Sequence, residues 1–368
     1  MSPRWRNALG DAALVLGSVT LVFLGLEATL RAFGFAPGSE KAVRRMVSAR
    51  WTTLLDCFPS NPRDYFDIDL REPENDARYR GLAPYRFDSI ARDHRWAVEV
   101  RYNALRFRDV PPTPKPRGIR RIVVLGDSFA EGQGVKEADT LARVLERELE
   151  KQAPGRYEVR NCGRRGTDFP ELYDAFEDAL RYEPDLVVFT LTLNDAVQPL
   201  AFREQQSYLN DWILDRTQAP DAPEAPRRFR ARVIDLVRDR LSTLLIGRET
   251  TRWYLDMWGD ANRRGWQRTQ EYLRAMERRL GQKQARLLVA PWPLFVGLEG
   301  GYPFGPIHQT VHRFCLVAGI PHHELLPLFQ GRRGSDFWVH PVDMHPNELA
   351  HRMAAQSLAP VVLKLVTP

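Results

Sequence analysis

Cysteine is scarce in this sequence, with three residues among 368. Cys57, Cys162 and Cys315 are too few for a disulfide scaffold and cannot all pair within the chain. A collagen-like or coiled-coil repeat is also missing, and a hydrophobic content of 43% excludes a disordered chain. The basic excess is small, 53 Lys and Arg against 47 Asp and Glu, and it is spread along the chain. A nucleic-acid partner would require a concentrated basic stripe, so the composition argues against one.

The N-terminal region contains one long hydrophobic segment. Residues 12–26 carry no charge and are mostly apolar, with Arg4 and Arg6 before them and Glu27 and Arg31 after them. This length matches a signal-peptide core or a short anchor. Counting on to residue 35 gives a full membrane span if Glu27 and Arg31 reach the far interface. The alternation of polar and apolar faces that is typical of a buried amphipathic helix is missing.

A signal-peptidase site is poorly formed here. Small residues at 34 and 36 have the right spacing, but Pro37 follows the cut directly. We therefore predict an uncleaved anchor over residues 1–36, with its basic end in the cytoplasm and the rest exported. In a Gram-negative bacterium the exported part would lie on the periplasmic face of the inner membrane. Export would permit one cysteine pair to oxidise, although Cys162 and Cys315 also fit as small core residues.

The rest of the chain divides at a proline-rich run, 111–116. Residues 37–116 show no strong hydrophobic period, and we predict an irregular leader that packs on the following domain. Residues 117–368 form the main domain. Within it, residues 205–264 are rich in Arg, Trp and Pro, and we interpret them as an insertion with an amphipathic helix near 231–245.

Strand and helix patterns alternate through the main domain. Short apolar runs predict buried strands at 120–125, 157–161, 185–193 and 286–291. Amphipathic patterns predict helices at 140–151, 171–182, 266–282 and 307–317, with a last helix from 346. The alternation indicates an α/β fold with a parallel sheet and helices on both faces.

Four short motifs lie at the ends of these strands or in loops. They are Gly-Asp-Ser at 126–128, Asn-Cys-Gly-Arg-Arg-Gly-Thr at 161–167, Leu-Asn-Asp at 193–195 and Asp-Met-His-Pro-Asn at 343–347. Gly-Asp-Ser alone is also an ordinary turn sequence. Because ligands of open α/β sheets bind at the carboxyl ends of the strands, one crevice can gather all four. Together they supply a nucleophile, backbone and amide donors and a carboxylate–imidazole pair, which acyl transfer requires.

These motifs resemble those of the SGNH (GDSL-like) hydrolase family over residues 103–362, interrupted by the insertion. The Asn-x-x-x-Phe-Arg sequence at 103–108 is similar to a leader of the membrane-anchored, exported branch. The resemblance implies a flavodoxin-like three-layer α/β/α sandwich and a serine site. It assigns Ser128 as nucleophile, His345 as general base and Asp343 as the group that orients the imidazole. The implied oxyanion donors are the backbone N–H groups of Ser128 and Gly166 and the side chain of Asn194.

Two departures from the family pattern concern the third and fourth motifs. Thr192 stands where the family usually has glycine, which predicts altered packing with the Asn194 amide retained. The usual Asp-x-x-His spacing is shortened to Asp-x-His, a pattern similar to that of polysaccharide-acetylating relatives. Asp343 is therefore the predicted acid, and Asp336 is a reserve candidate.

Other candidates have structural alternatives. His308 and His312 share a helical face as metal ligands do, but no third ligand completes a set, so no metal or cofactor is predicted. Arg164 and Arg165 suit either an anionic substrate or solvent. Three tryptophans in or just after the insertion fit a sugar-stacking platform or burial of the insertion against the main domain: Trp253, Trp258 and Trp266. The arginines at 227–240 fit anionic lipid headgroups or a solvated helix face.

The leading functional expectation is a membrane-anchored, exported serine hydrolase that cleaves O-acyl esters, foremost O-acetyl groups on envelope or extracellular glycans. The expected partners are an acylated small-molecule or glycan substrate and the membrane, with oligomeric state left open. One alternative is an O-acyltransferase to glycan hydroxyls with the same site. Another is a membrane-tethered glycan-binding or assembly protein without turnover.

Overall fold

The structure is a computed structural model, and it describes residues 3–32, 66–67, 86–90, 97–202, 231–340 and 343–366. The helices are α1 Pro3–Ala32, α2 Ser128–Glu131, α3 Leu141–Gln152, α4 Glu171–Ala179, α5 Arg232–Met257, α6 Arg263–Gly281, α7 Gly305–Ala318 and α8 Glu348–Val366. The strands are β1 Phe66–Asp67, β2 Arg86–Ile90, β3 Ala97–Arg101, β4 Arg120–Gly126, β5 Tyr157–Gly163, β6 Leu186–Thr190, β7 Arg286–Val289, β8 Trp338–His340 and β9 Asp343–Pro346. Single 3₁₀ turns lie at Glu137–Asp139, Leu180–Tyr182, Asp260–Asn262, Leu326–Leu328 and Gly334–Phe337.

A parallel sheet with the strand order β5-β4-β6-β7 forms the centre of the main domain. β6 is buried throughout and β4 is buried beyond Arg120, as expected for strands covered on both faces. Gly126 of β4 pairs with Gly163 of β5 and with Thr190 of β6. Three strands therefore end at the same level, and the first three motifs follow from one edge of the sheet.

Two groups of helices cover this sheet. Helix α3 packs on α8 and both contact the strands, while α4 packs on α6 and both contact the strands. The predicted α/β fold with a parallel sheet is thus confirmed. The leader contributes a separate antiparallel sheet, β1-β2-β3, and its other parts before residue 97, which include Cys57, lie outside the described residues.

Two elements differ from the sequence prediction near the motifs. The third strand ends at Thr190 rather than at residue 193, because the Asp195 carboxylate accepts a hydrogen bond from the Thr192 N–H at 2.7 Å and turns the chain. The last helix begins at Glu348 because residues 343–346 form β9 against β8. Asn347 then caps the helix, since its side-chain oxygen accepts from the N–H groups of Leu349 and Ala350, each at 3.1 Å.

Helix α1 and the insertion extend beyond this core. Residues Gly10–Ala32 have a mean hydropathy of 2.0 and are long and apolar enough to cross a membrane, a test that signal sequences also pass. The insertion helix predicted near 231–245 is longer, Arg232–Met257, and residues 205–230 of the insertion lie outside the described residues.

Candidate active site

Ser128 is the first residue of the one-turn helix α2, directly after β4. The preceding Asp127 caps this helix, because its carboxylate accepts from the Phe129 N–H at 2.9 Å. Gly132 ends it in a left-handed conformation with φ +81°, which costs a glycine little. This strand–turn–helix arrangement holds the Ser128 hydroxyl at the carboxyl edge of the sheet, with 9% of the residue exposed.

His345 lies next to Ser128 in the fold although 217 positions separate them in the sequence. The distance from His345 Nε2 to Ser128 Oγ is 2.8 Å, and the imidazole packs against the Phe129 ring at 5.2 Å between centroids. The structure therefore brings together the predicted nucleophile and the predicted base. For Nε2 to accept the serine proton, the neutral ring must carry its own proton on Nδ1.

Gln133 contacts the other nitrogen of this ring and was missed by the sequence reasoning. Its Nε2 lies 3.1 Å from His345 Nδ1. A half-turn of the carboxamide presents its oxygen to an Nδ1–H, the arrangement that a basic Nε2 requires. The sequence held one indication that Gln133 is near the site. It stands between Gly132 and Gly134 directly after the nucleophile helix.

The acid of the predicted triad is only partly described. The backbone of Asp343 lies in β9, where it pairs with His340, while the side chains of both residues lie outside the described part of the structure. Its orienting role stays a prediction. The reserve candidate Asp336 is wrong, because its carboxylate is exposed and accepts from Arg333 Nε at 2.7 Å.

The predicted oxyanion donors lie in the loops that follow β5 and β6. The loop with Gly166 crosses the end of β4, where the Arg164 N–H donates to the Gly126 carbonyl at 2.9 Å. Asn194 is half-buried, and its side chain lies near the Asp127 carboxylate beside Ser128, where it acts against the burial that raises the pKa of Asp127. Both loops thus start level with the nucleophile, and contacts to residues 126 and 127 tie them to its strand.

A buried carboxylate joins the nucleophile helix to the Gly166 loop. Glu131, fully buried at the end of α2, accepts from the Tyr102 hydroxyl at 2.6 Å, from the Arg165 N–H at 3.1 Å and from Arg165 Nε at 2.9 Å. Burial raises the pKa of Glu131, but the charge and hydrogen bonds of Arg165 and the Tyr102 hydroxyl hold it below the ordinary value. Gly163 allows α2 to pack this closely, since a Cβ there would lie 2.0 Å from the Glu131 nitrogen.

Arg164 and Arg165, which the sequence offered as candidates for binding an anionic substrate, are both bound by other groups of the protein. Arg165 is held by Glu131, and Arg164 donates to Asp178 and to the Leu105 carbonyl at 2.9 and 2.8 Å. Both guanidinium groups are engaged inside the protein, so the structure does not favour the anionic-substrate alternative.

Thr192 bridges two buried acids. Its hydroxyl oxygen lies 2.8 Å from Asp127 Oδ2 and 2.8 Å from Asp195 Oδ1. One hydroxyl proton serves only one acceptor, so the second contact is a hydrogen bond only if one acid is protonated. Burial, and then the Asp127 charge, raises the pKa of Asp195 well above its usual range. We infer that Asp195 donates to Thr192, which donates to Asp127, so the Thr192 departure adds a bridge between the first and third motifs.

The leader sequence at 103–108 supports the loop that carries Gln133. Arg108 is 2% exposed, and its guanidinium donates to the carbonyls of Gly132 and Val135 at 2.7 and 2.8 Å. Asn103 folds the leader itself, because its side-chain oxygen accepts from the Leu105 and Phe107 N–H groups. The leader therefore supports the loop that places the Gln133 carboxamide beside His345 Nδ1.

The remaining candidates take structural roles. His308 contacts Glu324 at 2.8 Å, and among the described residues no group of three or more His, Cys, Asp or Glu is arranged to hold a metal ion. Trp253 and Trp258 are buried, and the Trp258 indole donates to the Leu193 carbonyl beside Asn194 at 2.7 Å, while Trp266 is half-buried. Cys162 and Cys315 are buried and unpaired, and burial raises the pKa of the Cys315 thiol to about 12.

Comparison with known proteins bears on the family of this chain. Residues 124–353 match the model of the GDSL-like Lipase/Acylhydrolase family, and no curated protein matches. Solved structures with a similar fold include a lipase/acylhydrolase from Enterococcus faecalis (14% identity, 68% of this chain and 98% of that chain covered, TM-score 0.41). Others are a G-D-S-L family lipolytic protein from Desulfitobacterium hafniense DCB-2 (14%, 66% and 98%, 0.38) and the acetyl xylan esterase AlAXEase (13%, 66% and 99%, 0.39). The family match spans more than half of the chain and includes the serine and histidine described above, so the chain belongs to the GDSL-like lipase/acylhydrolase family and is an ester-hydrolysing enzyme.

Proposed function

We propose that this enzyme removes O-acyl groups, foremost O-acetyl groups, from envelope or extracellular glycans while α1 anchors it in the membrane. The observation that carries the catalytic part is the 2.8 Å contact between Ser128 Oγ and His345 Nε2 at the carboxyl edge of the sheet. The apolar segment Gly10–Ala32 supports the anchored location. We take the catalytic domain to be on the exported side of the membrane, where it meets acylated envelope polymers rather than cytoplasmic metabolites.

The proposed reaction begins with proton transfer from Ser128 to neutral His345. The serine oxygen attacks the ester carbonyl, and the N–H groups of Ser128 and Gly166 and the Asn194 amide stabilise the negative oxygen of the tetrahedral intermediate. As the intermediate collapses, the bond between the acyl carbon and the sugar oxygen breaks and His345 protonates that oxygen, leaving an acyl group on Ser128. A water molecule that gives its proton to His345 hydrolyses this acyl-enzyme and restores the free serine.

Protein contacts around the ring maintain this proton path. Gln133 holds the Nδ1 side of His345, and Asp343 is the proposed acid that stabilises the imidazolium. Phe129 packs on the ring and restricts its rotation. The nucleophile and base are therefore preorganised before substrate binds.

The test is acetate release from O-acetylated oligosaccharides and from p-nitrophenyl acetate by the full chain in detergent. Ser128→Ala should abolish turnover with both substrates. Ser357→Ala is the matched control, because Ser357 Oγ also contacts a histidine, His323 Nε2, at 2.7 Å but lies in α8 and in none of the four motifs. Full turnover by Ser128→Ala would refute the mechanism.

The same experiment separates hydrolysis from transfer. With an unacetylated oligosaccharide added as acceptor, hydrolysis yields free acetate, whereas transfer yields a newly acetylated acceptor that mass spectrometry detects. Turnover of p-nitrophenyl acetate without any release from glycans would overturn the substrate class and leave the serine mechanism intact. Binding of glycans without turnover of either substrate would favour the non-catalytic alternative.

A further inference from the structure

Helix α1 is joined to the insertion helix α5 through a buried carboxylate. Glu27 is 7% exposed, and its Oε2 accepts from the Val233 N–H at 2.9 Å in the first turn of α5. The N-cap residue Ala231 makes no side-chain cap, and Glu27 satisfies a donor that a helix start leaves unpaired. Glu27 also pairs with Arg31 one turn later at 2.7 Å. The contact fixes where α5 begins relative to α1.

The side chains of α1 confirm which face meets α5. Among residues 10–32, Glu27 is buried and Phe23 and Leu30 are half-buried, and these three positions lie on one helical face. The other apolar side chains of this range are exposed, for example Leu14 at 71%, Val19 at 61% and Val22 at 68%. Glu27 and Arg31 are the charged residues at the C-terminal end of this apolar helix.

The start of α5 carries an exposed apolar stripe, which we define as Ile234, Val237 and Leu241. These side chains are 61%, 52% and 56% exposed. Their spacing of three and four residues puts them on one face of the helix. Val233 is buried and Leu236 is half-buried, and these two residues lie on the neighbouring face. The stripe thus points away from the covered side of α5 and begins one residue after the Glu27 contact.

We propose that the apolar stripe of α5 lies in the membrane interface and contacts lipid beside α1. The proposal rests on the membrane anchoring put forward under Proposed function. The stripe begins one residue after the contact between Val233 and Glu27, and this contact places it at the C-terminal end of the anchor, where hydrocarbon meets headgroups. Residues 227–240 contain six arginines and two aspartates, a charge of +4 that suits anionic headgroups.

The consequence is that the insertion orients the enzyme on the membrane. Helix α5 runs from the Glu27 contact to Trp258, whose indole nitrogen donates to the Leu193 carbonyl beside Asn194. At about 1.5 Å per residue, this helix spans about 39 Å between the anchor and the site. Lipid contact at one end therefore restricts the positions that the active site can take relative to the membrane.

The experiment uses the full chain in lipid nanodiscs that contain phosphatidylglycerol, with and without nitroxide-labelled lipids. A Cys57→Ser background carries one fluorescent label at Val237→Cys, at Val19→Cys as the anchor control, or at Arg252→Cys, whose side chain is 83% exposed later on α5. Nitroxide lipids should quench the labels at 19 and 237 and leave the label at 252 unquenched. Adding Glu27→Ala should reduce quenching at 237 and leave quenching at 19 unchanged, whereas Thr29→Ala should change neither.

Each other result overturns the proposal in a distinguishable way. Quenching at 19 without quenching at 237 would refute the stripe and leave the anchor intact. No quenching at 19 would refute the anchor together with the stripe. Equal quenching at 252 would show that lipid contact is not localised to the stripe. If the label at 237 is not quenched by nitroxide lipids and becomes less exposed to water as the protein-to-lipid ratio rises, a second copy of the chain, and not lipid, covers the stripe.

Discussion

Replacing Glu131 by alanine should destabilise the enzyme strongly, because this carboxylate ties the nucleophile helix to the Gly166 loop. The substitution leaves the Arg165 guanidinium and the Tyr102 hydroxyl without their buried acceptor. Breaking a buried ion pair by removing one partner costs about 3–5 kcal/mol. At about 2–4 °C per kcal/mol, Tm should fall by about 6–20 °C in differential scanning calorimetry.

A surface pair provides the matched control. Glu148 contacts Lys151 at 2.8 Å one helical turn away, and the Lys151 side chain is 64% exposed. Glu148→Ala should change stability by less than about 1 kcal/mol. If Glu131→Ala melted within the range of this control, the role assigned to the buried carboxylate would be refuted.

Acid pH supplies an independent check on Glu131. Its folded-state pKa is lowered from 4.5, so it adds stability above about pH 4.5 and loses that contribution as the pH falls through the lower folded value. The gap in free energy of unfolding between the wild type and Glu131→Gln should therefore narrow in acid. Because Glu131 also accepts from the Arg165 N–H beside Gly166, Glu131→Gln should lower kcat for p-nitrophenyl acetate more than it raises KM.

Three further substitutions test the site and its surroundings. Asn194→Ala should lower kcat about 10²–10³-fold if its amide is an oxyanion donor, and an unchanged kcat would exclude that role. Gln133→Ala should lower kcat/KM about fivefold, since it removes one hydrogen bond worth about 1 kcal/mol from the His345 ring, with calorimetry as the check on folding. Burial lowers the pKa of His351 to about 3, and neither ring nitrogen has a hydrogen-bond partner among the described residues. Between pH 6.5 and 3 the unfolded chain therefore binds a proton on this histidine that the folded chain does not, which destabilises the wild type as the pH falls. On going from neutral pH to pH 5, the free energy of unfolding of His351→Leu should rise by about 2 kcal/mol relative to that of the wild type, as measured by urea unfolding. A difference between the two proteins that does not change with pH would contradict this.

Local sequence patterns were sufficient to predict the sheet, and the resemblance to a known family supplied the first contact of the site. The run 120–125 predicts a buried strand because both faces of a parallel strand are covered, and the turn residues after it place Ser128 at the strand end. The pairing of Ser128 with His345 was implied by the resemblance of the four motifs to a known family. Gly-Asp-Ser by itself is also an ordinary turn sequence, so the motif alone did not predict the pairing.

The contacts of Glu131 and Gln133 were not predictable in this way. Glu131 has the sequence character of a solvent-exposed helical residue, and only the packing of α2 against β5 buries it beside Arg165. Gln133 contacts His345 because helix α2 ends after one turn at Gly132, whose left-handed conformation changes the direction of the chain. The contact between Glu27 and Val233 joins segments 206 positions apart with no motif in either. Long-range polar contacts of this kind depend on tertiary packing that local pattern does not encode.

The central claim is that His345 activates the hydroxyl of Ser128, and covalent labelling tests it most directly. A fluorophosphonate probe reacts with an activated serine, and peptide mass spectrometry locates the adduct. We predict a single adduct on the peptide that contains Ser128, no adduct in Ser128→Ala, and strongly slowed labelling in His345→Ala. Labelling of another residue, or an unchanged labelling rate in His345→Ala, would contradict the account.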